Sequence, residues 1–280
     1  MTFDPTVLKV TEGFDLAAVD PGSTPGFKGD KDDAEDFLED RGEVLSDFQE
    51  RLFAEGRAGG DRAVLLVLQG LDTSGKGGIV RHVMGLVDPQ GVALRSFGVP
   101  TVEERGHHYL WRIRNALPAP GRIGVFDRSH YEDVLVVRVD GLVPQETWES
   151  RYDEINAFER DLVADGLTIV KVALVISPEE QAERLRERIE RPDKHWKYHP
   201  SDLDVRGKWA AYREAYQAVF DRTSTEVAPW YVVPADNKWY ARLAVAELLA
   251  RALESLDLGW PEKDFDIGTE LARLAATDPS

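Results

Sequence analysis

The sequence predicts an α/β fold: a parallel five-stranded sheet flanked by helices. Three observations predict it. Apolar runs alternate with helical patterns along most of the 280 residues, as when parallel strands are joined by helical crossovers. The first apolar run, 63–69, leads into a glycine loop with a lysine, Gly70-Leu71-Asp72-Thr73-Ser74-Gly75-Lys76-Gly77, and then a helical run. A later apolar run, 122–127, ends in Asp127. In such sheets ligands sit beyond the C-terminal strand ends, where both features fall.

Residues 1–30, with Pro5, Pro21-Gly22-Ser23 and Pro25-Gly26, read as an irregular arm. Residues 32–55 read as a helix with Leu38, Leu45, Phe48, Leu52 and Phe53 on one face. Strands are predicted at 63–69, 92–97, 122–127, 168–176 and 230–233. Helices are predicted at 77–87, 102–116, 130–139, 145–164, 178–190, 202–221 and 238–256. Trp111, Trp148, Trp209 and Tyr212 fall on apolar helix faces and are expected in the core. The expected organisation is the arm, one domain over 31–260 with a lid at about 180–208, and an acidic tail over 261–280.

Composition narrows the function. The chain is long enough for one large domain with a sizeable core. Its 42% hydrophobic content is that of a globular protein. No apolar run is long enough to cross a membrane, and no signal-peptide pattern opens the sequence, so a cytoplasmic location is expected. There is no cysteine, which excludes disulfides, thiolate metal sites and cysteine nucleophiles. The net charge of −17 at first argues against a polyanionic partner, and no nucleic acid is expected. The charge is uneven, however. Residues 30–50 carry ten acids and two bases, whereas 184–199 carry six bases and three acids. An acidic exterior can therefore surround a basic site.

Strand, glycine loop with lysine, then helix is the setting of a phosphate-binding P-loop. Gly70, Thr73, Ser74, Gly75, Gly77 and Gly78 supply backbone that turns N–H groups toward an anion. Lys76 adds a mobile charge at the helix start. Two details depart from the usual pattern: position 77 is Gly, where Ser or Thr would hold magnesium, and position 72 is Asp. An apolar strand ending in Asp127 is the Walker B arrangement, in which the acid holds a metal; the plainer reading is a cap of the next helix. Ser129 can supply that cap and free Asp127. Asp72 and Asp127 would then share a hard divalent cation. Otherwise Asp72 is a turn carboxylate accepting loop N–H bonds.

Arg184, Arg188 and Arg191 share one face of a helix that Pro192 ends. Lys194, Trp196 and Lys197 follow in a loop, and Ser201 or Asp202 can cap the next helix. A basic helix–loop–helix after the fourth strand suits a lid whose arginines, Arg188 and Arg191, neutralise a moving phosphoryl group. Arg186 reads as solvated surface. Arg81 lies close enough to the loop to reach a phosphate chain. Arg105, His107, His108 and Arg112 fall in the helix after the second strand, and the histidines read as surface or capping residues. No hydrolase elbow or dinucleotide fingerprint is present.

Further blocks accompany the loop: Asp88-Pro89-Gln90-Gly91-Val92, Ser96-Phe97-Gly98-Val99-Pro100-Thr101, Leu110-Trp111-Arg112, Phe126-Asp127-Arg128-Ser129-His130-Tyr131-Glu132-Asp133-Val134 and Trp196-Lys197-Tyr198. Together, in this order from about residue 28 to 260, they resemble the polyphosphate kinase 2 family. The resemblance implies a thymidylate-kinase-like P-loop fold and Mg²⁺-dependent phosphoryl transfer, with Mn²⁺ as an alternative, between inorganic polyphosphate and nucleotides such as ADP, GDP and AMP. It implies Asp72 and Asp127 as metal and catalytic acids, Lys76 and Arg128 as phosphate ligands, and Arg188 or Arg191 as the lid arginine. The Arg128–Val134 stretch looks most like the branch that accepts nucleoside mono- and diphosphates. The family often has Asp where Gly77 stands. A polymeric donor needs a longer basic track, which Arg81, Lys194, Lys197 and Lys208 could extend, with affinity that falls as salt rises. An ATP-dependent nucleoside monophosphate kinase and a non-catalytic binding module are the alternative readings. A homodimer or homotetramer is expected, through apolar faces of the 32–55 and 145–164 helices.

Overall fold

The computed structural model describes residues 3–277, so two residues of the arm and three of the tail lie outside it. Five parallel strands form one sheet: β1 Ala63–Gln69, β2 Val92–Ser96, β3 Ile123–Asp127, β4 Leu167–Val175 and β5 Trp230–Pro234, in the order β2-β3-β1-β4-β5. The chain leaves β1 in one direction to build β2 and β3, then returns to β1's other side for β4. Beside β1 the crossovers diverge, which opens a crevice at its C-terminal end. Leu68 pairs with Asp127, so the loop after β1 starts beside the acid that ends β3. Every β1 residue is buried.

The helices are α1 Lys31–Arg57, α2 Lys76–Val83, α3 Val102–Arg105, α4 Trp111–Arg114, α5 Val136–Val139, α6 Gln145–Ala164, α7 Pro178–Glu190, α8 Ser201–Gly207, α9 Trp209–Thr223, α10 Lys238–Glu254 and α11 Ile267–Ala276. Alternate strand residues feed two cores. On one face Val64, Leu66 and Leu68 meet α1, α2 and α10 through Leu45, Leu52, Ile79 and Leu243. On the other, Leu65, Val67 and Phe126 meet α6 and α9 through Ile155, Phe158 and Phe220.

The structure revises several expectations. The 102–116 helix is two short helices, α3 ending at Gly106 and α4 following. Residues 130–133 form a 3-10 turn rather than the start of a 130–139 helix. The 202–221 helix breaks at Lys208 into α8 and α9. Neither Ser201 nor Asp202 caps α8. Part of the apolar faces of α1 and α6, expected to meet a second chain, packs within this one: Leu45 and Leu52 of α1 are buried toward α10, with Arg41 donating to Glu247 at 2.7 Å, and α6 turns Tyr152, Ile155 and Phe158 inward, whereas Leu38, Phe48 and Phe53 stay partly exposed. The arm segment is a strap along β5. Val10 N donates to Trp230 O at 2.8 Å, and farther along Asp236 N donates to Pro21 O at 3.1 Å, which covers an otherwise open sheet edge.

Candidate active site

The glycine loop runs from the end of β1 into α2. Gly70 has φ 151°, and a Cβ there would meet Ser74 Oγ at 2.5 Å and Leu174 O at 2.7 Å, so only glycine fits. Gly75 precedes α2 in a left-handed conformation, φ 113°. At Gly77 and Gly78 a Cβ meets nothing within 4 Å, so the mouth of α2 is open. Thr73 (φ 69°) and Arg128 (φ 63°) are two of the three described non-glycine residues with positive φ. Strain of this kind persists only where the surroundings over-determine it.

Arg184 on α7 supplies that constraint for the loop. Its Nη1 donates to Thr73 O at 2.9 Å and Ser74 O at 3.1 Å. Its Nη2 donates to Ala235 O at 2.6 Å and Asp236 O at 3.0 Å, and its Nε to Glu180 at 2.6 Å. All five guanidinium donors are used. Gln181 Nε2 donates to Asp72 O at 3.3 Å. With the carbonyls of Asp72, Thr73 and Ser74 turned toward α7, planar trans peptides direct the N–H groups of Thr73 and Gly75 the other way. Among the described residues the N–H groups of Thr73, Gly75, Lys76 and Gly77 have no protein acceptor. The hydroxyls of Thr73 and Ser74 are buried without a partner. Unsatisfied donors at a helix start form an anion cradle.

Four sequence-selected charges come together here. Lys76, 8% exposed, donates from Nζ to Gly70 O at 2.5 Å and Leu71 O at 3.3 Å. Burial lowers its ammonium below the usual lysine value, helped by Arg128 and opposed by Asp127, Asp72 and Glu132. Arg128 Nη2 donates to Asp72 Oδ1 at 2.6 Å. Burial disfavours the Arg128 charge, but Glu132 and Asp72 outweigh it and raise the group above its usual value. Ser129 accepts from Tyr131 N at 3.2 Å and so caps the following turn, as expected.

Two residues to which the sequence reading gave no role of their own join this centre. Arg184 is the hub of the loop carbonyls. Glu132 lies among Arg128, Lys76 and Asp72, and burial raises its carboxyl against the pull of the two cations. With its amide oriented to satisfy both neighbours, Gln69 donates to Glu132 at 3.0 Å and accepts from Ser129 N at 3.2 Å.

The cations of α7 and the segment after it divide. Arg188 donates to Lys197 O at 3.0 Å and to Asp202 at 3.5 Å. Asp202 is buried, and its carboxyl is raised by that burial and, to a lesser degree, by the charge of Asp72. Arg191 is half exposed and pairs with Glu187 and Asp193 at 2.9 and 2.8 Å. Lys194 also pairs with Glu187. Lys197 stands over the exposed Trp196 ring, and Lys208 pairs with Asp140 at 2.6 Å. Arg81 is exposed on α2. These last five lie outside the central group. Arg112 is buried, donating to Gly98 O at 2.9 Å, and His107 stacks on Trp111.

Residues 28–258 match the family model Polyphosphate kinase 2 (PPK2). The chain is 46% identical to "AMP/ADP-polyphosphate phosphotransferase" of Meiothermus ruber, over 90% of this chain and 92% of that one. It is 41% identical to "ADP-polyphosphate phosphotransferase" of Rhodopseudomonas palustris, over 86% of each. Among solved structures, polyphosphate kinase 2 from Arthrobacter aurescens TC1 superposes with a TM-score of 0.96 at 51% identity, covering 99% of each chain.

Proposed function

The chain belongs to the polyphosphate kinase 2 family, and from that premise we propose that it moves phosphoryl groups reversibly between inorganic polyphosphate and nucleoside mono- or diphosphates. It is an enzyme; AMP and ADP are the nucleotides in the names of its relatives.

The observation that carries the reading is the Arg128–Asp72 pair at 2.6 Å, set between the loop cradle and Asp127. An ordinary nucleotide-binding loop has no use for a carboxylate among its phosphate donors. Two polyanions that react with each other need both a cradle and acids that organise cations between them. The free N–H groups of Thr73, Gly75, Lys76 and Gly77 bind the donor, and Lys76 exchanges its carbonyl acceptors for phosphate oxygens. Arg128 holds the acceptor phosphate beside Asp72 and Asp127. The attacking oxygen is already ionised near neutral pH, so these acids serve by orientation rather than proton removal. The helix–loop–helix of α7 and α8 acts as the lid and brings a lid arginine to the moving group. Arg81, Lys194, Lys197 and Lys208 extend the track for the polymer.

Mg²⁺, or Mn²⁺ in its place, suits the donor set. Mg²⁺ usually takes one or two carboxylates and completes its shell with water and substrate phosphate. Asp72 and Asp127 supply the carboxylates, next to the orphaned hydroxyls of Thr73 and Ser74. Bound there, the ion would offset repulsion between donor and acceptor oxygens.

No described helix is long and apolar enough to cross a membrane. We place the protein in the cytoplasm, where nucleotides are available and a chain without cysteine loses nothing. With α1 and α6 partly occupied internally, the exposed stripe Ile267, Leu271 and Leu274 of α11 becomes our proposed contact for a homodimer or homotetramer; light scattering of the L271E variant, expected to be monomeric, tests it.

The deciding assay supplies ADP, GDP or AMP with Mg²⁺ and long-chain polyphosphate, without ATP. New ATP, GTP and ADP are expected. No product with any acceptor, alongside turnover of ATP with a monophosphate, would overturn the reading in favour of a nucleoside monophosphate kinase.

A further inference from the structure

Behind the segment that carries Arg128 lies a closed set of charges with no place in the chemistry above. Lys171, at the middle of β4, is fully buried. Its Nζ donates to Glu159 Oε2 at 2.6 Å, Thr223 O at 2.7 Å and Tyr131 Oη at 2.9 Å, which uses all three ammonium donors. Tyr131 Oη donates in turn to Glu159 Oε1 at 2.8 Å, and His130 Nε2 lies 3.2 Å from the same oxygen. Tyr131 and Trp230 wall the ammonium, each ring centroid 5.3 Å from Nζ. Burial opposes the Glu159 charge, yet Lys171 and His130 outweigh it and keep its carboxyl below the usual value.

An ion pair buried this deeply is costly, and apolar side chains of similar volume often serve a core as well. What the pair holds therefore matters. Its partners Tyr131 and His130 sit in the 3-10 turn directly after Asp127, Arg128 and Ser129. The same turn contains Glu132, and Arg128 enters it with φ 63°. Lys171 is fixed in the sheet opposite Val67 of β1, which is itself opposite Phe126 of β3. Glu159 comes from α6 and Thr223 from the end of α9. The network thus ties the turn to one central strand and two helices.

We propose that Lys171 and Glu159 are positioning residues for phosphoryl transfer: through the Tyr131 hydroxyl and the His130 ring they fix the turn that sets Arg128 and Glu132 against Asp72. The inference rests on the phosphoryl-transfer reading of the site.

Two variants test it, each measured for polyphosphate-dependent ATP formation from ADP and for thermal melting. Tyr131→Phe keeps the ring and its packing and removes only the hydroxyl. The double variant Lys171→Met with Glu159→Leu replaces the ion pair by apolar chains. For both, kcat is expected to fall about tenfold or more with the KM for ADP changed less than about threefold, the pattern of a lost transition-state arrangement. The melting temperature should stay within a few degrees of wild type. Turnover within about twofold of wild type in Tyr131→Phe, a loss confined to KM, or a loss that only tracks unfolding would overturn the inference. If the double variant does not fold, Tyr131→Phe decides alone. Wild-type protein inactive with polyphosphate would overturn the underlying reading, and the inference with it; active wild type with equally active variants overturns the inference alone.

Discussion

Arg184 Nη1 donates to the carbonyl oxygen of Thr73 at 2.9 Å, and through this contact α7 sets the peptide planes of the glycine loop. The same guanidinium reaches Ala235 and Asp236 after β5, and Asp236 N in turn holds the strap at Pro21. The glycine loop is thus tied, directly or in series, to three parts of the chain.

Arg184→Lys keeps the charge and loses the fork. A single ammonium cannot reach four carbonyls and a carboxylate, so buried acceptors go unsatisfied. The expected loss is about 2–4 kcal/mol of stability, or roughly 5–10 °C in melting temperature for a domain of this size. Turnover should fall in the same variant at temperatures where it is still folded. A melting temperature unchanged from wild type would contradict the bracing role.

The two ends of the glycine loop should respond oppositely to a side chain. Gly70→Ala forces a Cβ into Leu174 O and Ser74 Oγ at a φ that alanine avoids, so lowered stability and loss of most activity are expected. Gly77→Ser places its side chain in open space and exchanges a poor helix former for a better one. It should melt no lower than wild type and retain turnover. Melting curves and polyphosphate assays of the pair check both, and a crippled Gly77→Ser would mean that the polymer itself fills that space.

Asp127→Asn is nearly isosteric at a half-buried strand end, so folding should be unaffected. Turnover should drop by about a hundredfold or more, as when a group acting on the transition state is removed. Near-normal rates in saturating Mg²⁺ would reject its assignment to the metal.

Much of this centre was legible in the sequence because its signals are local. The loop, Lys76 and the Asp127 strand end each lie within one short segment, and hydrophobic alternation places both segments at the same sheet edge. Arg184 was not legible. Its spacing with Arg188 and Arg191 defines a helix face but not which arginine turns inward, and its acceptors at Ala235 and Asp236 lie some fifty residues away. Glu132 sits in a polar turn where nothing local marks one acid from its neighbour Asp133. An apolar stripe records that something covers it but not what does, and for Leu45, Leu52, Ile155 and Phe158 the cover lies within the chain, in α10, the sheet and α9. Lys171 did leave a trace: a lysine in the apolar run 168–176 needs a buried partner.

Lys76 links activity and stability to pH with opposite signs. Burial lowers its ammonium below 10.5. The kcat/KM profile for polyphosphate, which reports the free enzyme, should therefore show its basic limb below pH 10.5 as the charge on Lys76 is lost. Between the depressed folded value and 10.5 the unfolded chain holds this proton and the folded chain does not. Stability from this group therefore rises with pH across that window; below it both states are protonated and the burial penalty is constant. Melting wild type beside Lys76→Met isolates the effect. Wild type should gain on the variant over the range in which its turnover falls, and a pH-independent difference would contradict the assignment.

Of the two arginines proposed for the lid, we favour Arg188. It lies against buried Asp202, whose carboxyl is raised chiefly by that burial and also by the charge of Asp72. Its contact with Asp202 is long, at 3.5 Å, so an arriving phosphoryl group with more charge and better geometry can capture the guanidinium. Arg191 stands half exposed between Glu187 and Asp193, where ion pairs contribute little and the site is farther off. Arg188→Ala should lower kcat by about a hundredfold or more at saturating ADP and polyphosphate, as for loss of one charge-stabilising group. Arg191→Ala should stay within about threefold of wild type, with any change appearing in the KM for polyphosphate and fading at high salt. The reverse ranking would mean that the lid rotates on closing and presents the outer arginine instead.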